Sequence, residues 1–314
     1  MRASPLFASK ISPVLLCTLV IAQLACGGGS GVTSVPVPTP TPTPTPAPAA
    51  QPTFSHIFLV MEENHSYSEV IGNSSMPYLN SLASQYGLAT QYFANAHPSL
   101  PDYMVLTTGL TETLDDNFAG TITDDNVVRE LVNSGKTWKS YAESLPSPGY
   151  IGGDSSLYAR RHNPFTYLSD VQNDTSQAAN IVPFTQFATD LANDSLPQYS
   201  FIVPNLMDDA HDGSLAQADA WLQTNIAPLL ASSAFQSNGL VIVTFDEGSQ
   251  SDIVHGGGQV ATLIISSTAK KGFHSQTLYQ HQSLLRLILS GSGIETFPGT
   301  SATAPDMNEF FTGY

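Results

Sequence analysis

Two short stretches hold the residues best suited to chemistry. Residues 57–61, Ile-Phe-Leu-Val-Met, form an unbroken apolar run that stops at Glu62, Glu63 and Asn64. Residues 239–245, Gly-Leu-Val-Ile-Val-Thr-Phe, form a second run that stops at Asp246 and Glu247. Apolar runs of this length, rich in β-formers, read as strands buried on both faces of a parallel sheet. Ligands of open α/β sheets bind beyond the carboxyl ends of such strands. If the two strands lie side by side and parallel, the carboxylates of Glu63, Asp246 and Glu247 and the amide oxygen of Asn64 meet at one point. So much negative charge is costly unless a cation offsets it. Oxygen donors suit Mg²⁺, Ca²⁺ or Mn²⁺, and an added imidazole turns the choice toward Zn²⁺ or Fe.

A hydroxyl and several imidazoles accompany the acids. Ser99, in His97-Pro98-Ser99-Leu100-Pro101-Asp102-Tyr103, falls at or just before the start of a helix, because Pro101 suits a first turn and Gly109 a stop. A serine there can be a plain N-cap. It can equally be a nucleophile, since helix N-terminal amides stabilise a bound phosphoryl group and a metal can hold the serine oxygen as alkoxide. His162 and His211 stand in polar segments rather than on apolar faces, where they could bind phosphate oxygens or protonate a leaving alcohol. His97 is a candidate for substrate contact or for a loop hydrogen bond. His255, beside three glycines, is also assigned to substrate, whereas His281 opens a helix and is left without a role. His56, His65 and His274 read as structural or solvent-facing.

From Phe54 onward strand and helix signals alternate, the pattern of an α/β sandwich. Helices are predicted over residues 77–86, 101–109, 126–134, 184–191, 214–230 and 281–289. Besides the two acid-tipped runs, strands are predicted over residues 88–94, 137–142, 199–203 and 260–266. Apolar residues at helical spacing in 214–230, among them Trp221, Leu222 and Ile226, form a core-facing stripe. Residues 143–183 are rich in Ser, Pro, Asn, Asp and Gly and carry little periodicity, and loops of that length in compact domains tend to be functional. The fold expected is one α/β domain over residues 54–314, a mostly parallel central sheet with helices on both faces.

The residues before that domain have a different character. Arg2 and Lys10 precede an apolar stretch over residues 11–22 of signal-peptide length, too short to span a membrane comfortably. Leu24-Ala25-Cys26 followed by three glycines resembles a bacterial lipobox, although Gln23 replaces the usual aliphatic residue. The expectation is a signal peptide over residues 1–25, lipid on Cys26, and a tether over residues 26–53 whose Thr-Pro repeats favour polyproline II. The protein is then secreted across the inner membrane and held on the cell envelope. Mass spectrometry of the mature N-terminus should find a lipid-modified Cys26 as the first residue, and an unmodified terminus elsewhere would refute the anchor. With only Cys17 and Cys26 in the chain, and Cys17 in the leader, no internal disulfide forms. Ten Lys and Arg against 26 Asp and Glu, a net charge of −16, exclude nucleic acid as a partner, since phosphate backbones need basic patches.

Taken in order, Glu63-Asn64-His65-Ser66, the His97-to-Tyr103 block, Arg161-His162-Asn163-Pro164-Phe165, Asn205-Leu206-Met207-Asp208-Asp209-Ala210-His211-Asp212 and Thr244-Phe245-Asp246-Glu247-Gly248 resemble a known family. It is the bacterial phosphoesterases, acid phosphatases and phospholipases C, of the alkaline phosphatase-like superfamily. The resemblance implies metal-dependent hydrolysis of a phosphate ester through a phosphorylated hydroxyl. It places Glu63, Asn64, Asp246 and Glu247 on the metal, Ser99 as nucleophile and further metal contact, and His162 and His211 in the phosphate pocket. Asp102 stands where the family usually has asparagine, which implies an extra negative charge near the phosphate. Glu247 stands where some relatives have a second aspartate. An acid phosphatase acting on monoesters leads, a phospholipase C is the nearest alternative, and a non-catalytic metal-bound binding module is the rival that would need neither Ser99 nor the histidines.

Overall fold

The computed structural model describes residues 51–314. The expected leader, Cys26 and all but the last three residues of the tether lie outside the described residues. The strands are β1 (His56–Glu62), β2 (Gly87–Ala89), β3 (Tyr92–Phe93), β4 (Trp138–Ala142), β5 (Ile181–Pro183), β6 (Tyr199–Val203), β7 (Gly239–Phe245), β8 (Thr262–Ser266), β9 (His274–Ser275) and β10 (Tyr279–Gln280). Eight of them form one sheet in the order β5, β4, β6, β1, β7, β8, β2, β9, and β3 pairs with β10 in a small separate ribbon. From β5 through β7 every pairing is parallel; β8 runs antiparallel to both its neighbours.

Apolar continuity puts β1 and β7 at the centre. Residues 57–62 are fully buried, and every residue of β7 is buried, so helices or loops cover both faces of the sheet there. The five apolar residues 57–61 contribute on the order of 10 kcal/mol by burial. That exceeds the several kcal/mol it costs to bury one uncompensated carboxylate. A hydrophobic strand can therefore carry acids at its tip.

Register decides where those acids meet. Met61 pairs with Thr244 and Glu62 with Phe245, and the ladder continues as Asp246 N–H donates to the Glu62 carbonyl at 3.0 Å. Glu63 and Asp246 are thus next in line on adjacent parallel strands. On the other side of β1, the loop after β6 is tied in by Glu63 N–H donating to the Asp209 carbonyl at 2.8 Å.

Six of the helices fall into two packed groups. Ser99–Thr108, Val127–Asn133 and His281–Gly291 form one; Pro77–Gln85, Leu215–Leu230 and Ser233–Asn238 form the other. In the long helix Ala218, Trp221, Leu222, Ile226 and Leu229 are buried, the stripe its spacing predicts. Two expectations are corrected. The strand expected over residues 88–94 is two, because the chain turns at Thr90 and Gln91 and sends β3 to a different sheet. The segment 143–183 is not featureless: it ends in β5, whose three residues carry too little pattern to be seen. Among the described residues no helix is long and apolar enough to cross a membrane.

Candidate active site

Three neighbouring parallel strands deliver three buried acids to one end of the sheet: Asp209 after β6, Glu63 after β1, Asp246 after β7. Ser99 is the first residue of the Ser99–Thr108 helix, and its hydroxyl donates to Glu63 Oε2 at 3.3 Å. One turn on, at the i+4 position that shares its face, the Tyr103 hydroxyl donates to Glu63 Oε1. Asp246 lies close to Glu63 and Ser99, and Glu247 close to Ser99, without a hydrogen bond between them. Asn64, with positive φ, donates its backbone N–H to Asp246 Oδ1 at 3.1 Å.

His162 enters from the long loop, on a short 3₁₀ turn, and stacks on the Tyr103 ring. Its Nδ1 stands 3.3 Å from Glu63 Oε1 and 3.4 Å from Asp209 Oδ2. Burial, with Arg161 nearby, pushes His162 down to about 3, so its imidazole is neutral. Burial, reinforced by Asp246 and Asp209, pushes Glu63 well above the carboxylate range. Burial also raises Asp246, takes Asp209 up to about 7, and takes Glu247 up to about 9, the last with Asp246 as the next cause.

The donor set fits a cation. Glu63, His162 and Asp209 each offer a ligand atom within 4.8 Å of the others, all three buried. Asp246 Oδ2, Asp209 Oδ2 and His162 Nε2 are buried with no hydrogen-bond partner, which is unusual for native polar groups. Carboxyls held protonated by burial would release protons as a cation bound.

Above this cluster opens a cavity of about 610 Å³ whose wall includes Asn64, His97, Ser99, Asp116, His211 and Glu247. His97 does two jobs in that wall. Its Nε2 donates to the Asp252 carbonyl and its Nδ1 meets Glu247 Oε2, both at 2.8 Å, so it fixes the Glu247 carboxyl. His211 Nδ1 donates to Asp212 at 2.8 Å, and its Nε2 accepts from Arg161 Nη2 at 3.1 Å.

Two sequence assignments fail here. His255 is not in the cavity wall; it is exposed, with positive φ, and rests on the Phe93 ring at 4.3 Å. The neighbouring glycines serve packing instead: a Cβ on Gly256 would stand 2.0 Å from the Asn95 carbonyl oxygen, and one on Gly257 2.3 Å from that of Ala96. Asp102 is not in the cavity wall. It is fully buried and accepts from the N–H groups of Asn95 and Ala96 at 2.6 and 3.3 Å, fastening the turn that leads into Ser99.

Sequence reading passed over Tyr103, Asp209, Asp116, Arg161 and His281. Tyr103 was findable from its i+4 spacing to Ser99. His281 is wholly buried and its Nε2 donates to the Asp246 carbonyl at 2.5 Å, holding the acid's main chain in place. Glu62, the last residue of β1, points away from Glu63 by strand alternation and has no partner for either oxygen; burial keeps it well above the carboxylate range.

Comparison with known proteins decides the family. The Phosphoesterase family model matches residues 73–294. The chain belongs to the Phosphoesterase family. It is therefore a hydrolase acting on phosphate esters, and its sheet is of the alkaline phosphatase type. It is 34% identical over 266 residues to a phosphatidylinositol-3-phosphatase of Mycobacterium tuberculosis, covering 83% of this chain and 84% of that one. It is 33% identical over 254 residues to an acid phosphatase of Aspergillus fumigatus, covering 77% of this chain but only 55% of the fungal protein. The phosphoesterase thus spans a little over half of that relative. A crystal structure of an alkaline phosphatase superfamily protein from Vibrio parahaemolyticus superposes with a TM-score of 0.57 at 13% identity, over 79% of this chain and 68% of the other. That likeness speaks for the fold alone.

Proposed function

We propose that this phosphoesterase hydrolyses phosphate monoesters outside the cytoplasm, with Ser99 Oγ as the atom that receives the phosphoryl group and a divalent cation at the tips of β1, β6 and β7. The observation that carries the reading is the position of Ser99: a hydroxyl in the wall of an open cavity, at a helix start, bonded to Glu63 and close to Asp246 and Glu247.

Glu63, Asp209, Asp246 and the neutral His162 are the residues whose geometry suits a metal, joined by Asn64, Glu247 and Ser99 on the family pattern. A cation held there would supply positive charge that favours loss of the Ser99 hydroxyl proton and balances phosphoryl charge. Ser99 Oγ, its proton passed to water in the open cavity, attacks phosphorus in line, and its bond to phosphorus forms as the bond to the alcohol oxygen breaks. Water later cleaves the phosphoserine, giving a proton back to His211, and the freed Ser99 oxygen regains its proton from solvent. First-turn amides of the Ser99–Thr108 helix spread charge on the phosphoryl oxygens. His211, in the cavity wall, is the side chain placed to pass a proton to the departing alcohol. His162 is reassigned from that role: it lies beneath the cavity among the acids, which suits a ligand better than a proton donor.

The names of the relatives favour a monoester over a diester, since acid phosphatase and phosphatidylinositol-3-phosphatase both denote monoesterases. Extracytoplasmic location rests on the leader and tether signals in residues 1–53. The test is the purified full chain against p-nitrophenyl phosphate, bis-p-nitrophenyl phosphate and phosphatidylcholine vesicles, with and without each divalent metal. Metal-dependent turnover of the monoester is expected. Turnover of the diester or phosphatidylcholine alone would make the protein a phospholipase C type, and no turnover by metal-loaded protein would make it a binding module.

A further inference from the structure

Asp116 stands where the proposed chemistry needs an empty donor. Its Oδ1 accepts the backbone N–H of Leu100, the residue after Ser99, at 3.0 Å. A phosphoryl group on Ser99 would have that N–H close by, because it belongs to the next residue of the first turn and faces Asp116, which lines the same cavity. The other carboxylate oxygen of Asp116 lies 3.5 Å from Arg161 Nε. Asp116 is also a shared wall: it lines the Ser99 cavity and a neighbouring cavity of about 260 Å³ that holds Arg161, which the Ser99 cavity does not touch.

Arg161 is poised rather than committed. It is about one-fifth exposed, and its contacts to Asp116 and Asp154 are both long, 3.5 Å, with Asp154 largely in solvent. Its third contact is the bond from Nη2 to His211 Nε2. Asp116 hangs on the segment 110–126, which has no helix or strand, so its carboxylate can move without unravelling a regular element. With Glu63, Asp246 and Glu247 nearby, a phosphate and the Asp116 carboxylate could share one N–H and one guanidinium only against strong repulsion.

Building on the phosphomonoesterase reading, we propose that Asp116 is an internal competitor for the phosphate position, and that Arg161 is the side chain that binds phosphate once Asp116 is displaced. The incoming phosphate takes over the Leu100 N–H and draws the guanidinium across the shared wall. The same movement withdraws Arg161 from His211 Nε2, freeing that nitrogen to carry a proton for the leaving alcohol. A planar fork with five donors is the group suited to two phosphate oxygens at once.

Calorimetric titration of inorganic phosphate into the metal-loaded full chain tests this, with thermal unfolding of each variant alongside. Asp116→Ala should tighten the phosphate Kd by about tenfold, and Asp116→Asn, which keeps the acceptor but not the charge, by less. Arg161→Ala should weaken it by at least about tenfold, and Arg161→Lys, which keeps charge without the fork, by less. In the Asp116→Ala/Arg161→Ala double variant the gain from losing Asp116 should shrink sharply, since its guanidinium beneficiary is gone. A mere helix cap predicts the contrary: a lower Tm, no tighter phosphate binding and no coupling to Arg161. Unchanged or weaker binding in both folded Asp116 variants, or unchanged binding in both Arg161 variants, overturns the proposal. Because phosphate binding is read without turnover, a protein that shows these shifts yet hydrolyses no monoester would refute the functional reading and not this one.

Discussion

Replacing Ser99 with alanine is expected to lower monoester turnover by about ten-thousand-fold while the protein stays folded and still binds phosphate. The loss is large because nothing else on the cavity wall offers a hydroxyl at the helix start; the histidines and acids would be left to position water unaided. The fold should tolerate the change. Ser99 gives up a single long hydrogen bond to Glu63, worth about 1 kcal/mol, and that carboxyl keeps its bond from Tyr103. Phosphate affinity should survive because the helix amides, Arg161 and the acid cluster with its cation remain. Ser99→Thr keeps a hydroxyl and should fall between the two. Near-normal turnover by a folded Ser99→Ala protein would show that water or another side chain makes the attack.

The second large effect concerns Asp246, and it has two opposite signs. Asp246→Asn should cost turnover by about a thousandfold, because a ligand charge worth several kcal/mol in the transition state is removed. In metal-free protein the same change should raise stability, by about 1–3 kcal/mol, since one of several buried acids facing each other is gone while Oδ1 still accepts from Asn64. Wild-type protein should gain about 2.7 kcal/mol from metal at a hundred times its Kd, and the Asn variant should gain little at that concentration. Differential scanning calorimetry with and without metal, paired with metal analysis, reads all three. A variant that keeps its metal-induced Tm rise and its turnover would move the metal elsewhere.

These acids were legible because strands write themselves in apolar runs, and the runs of β1 and β7 end abruptly in charge. Their adjacency needed only the parallel pairing that such runs favour. Asp209 was harder. It belongs to the site because β6 lies against β1, and no pattern local to either strand announces that neighbour. Asp116 was invisible for a similar reason: it sits in an irregular acidic segment where Asp115 looks as suitable, and only the fold brings one of the two to Leu100. Asp102 misled in the other direction, and His281 drew no role at all. A charged or titratable side chain next to a helix start suggests solvent or substrate, yet both are wholly buried and spend their polarity on neighbouring main-chain groups. His255 took its assignment from glycines whose role is close backbone contact with the segment before Ser99.

The covalent step can be trapped directly. Full-length, metal-loaded protein mixed with a ³²P-labelled monoester, quenched in acid within the first turnover and digested, should yield label on the peptide carrying Ser99. Label on any other residue, or turnover with no protein-bound phosphate at any quench time, would contradict the account.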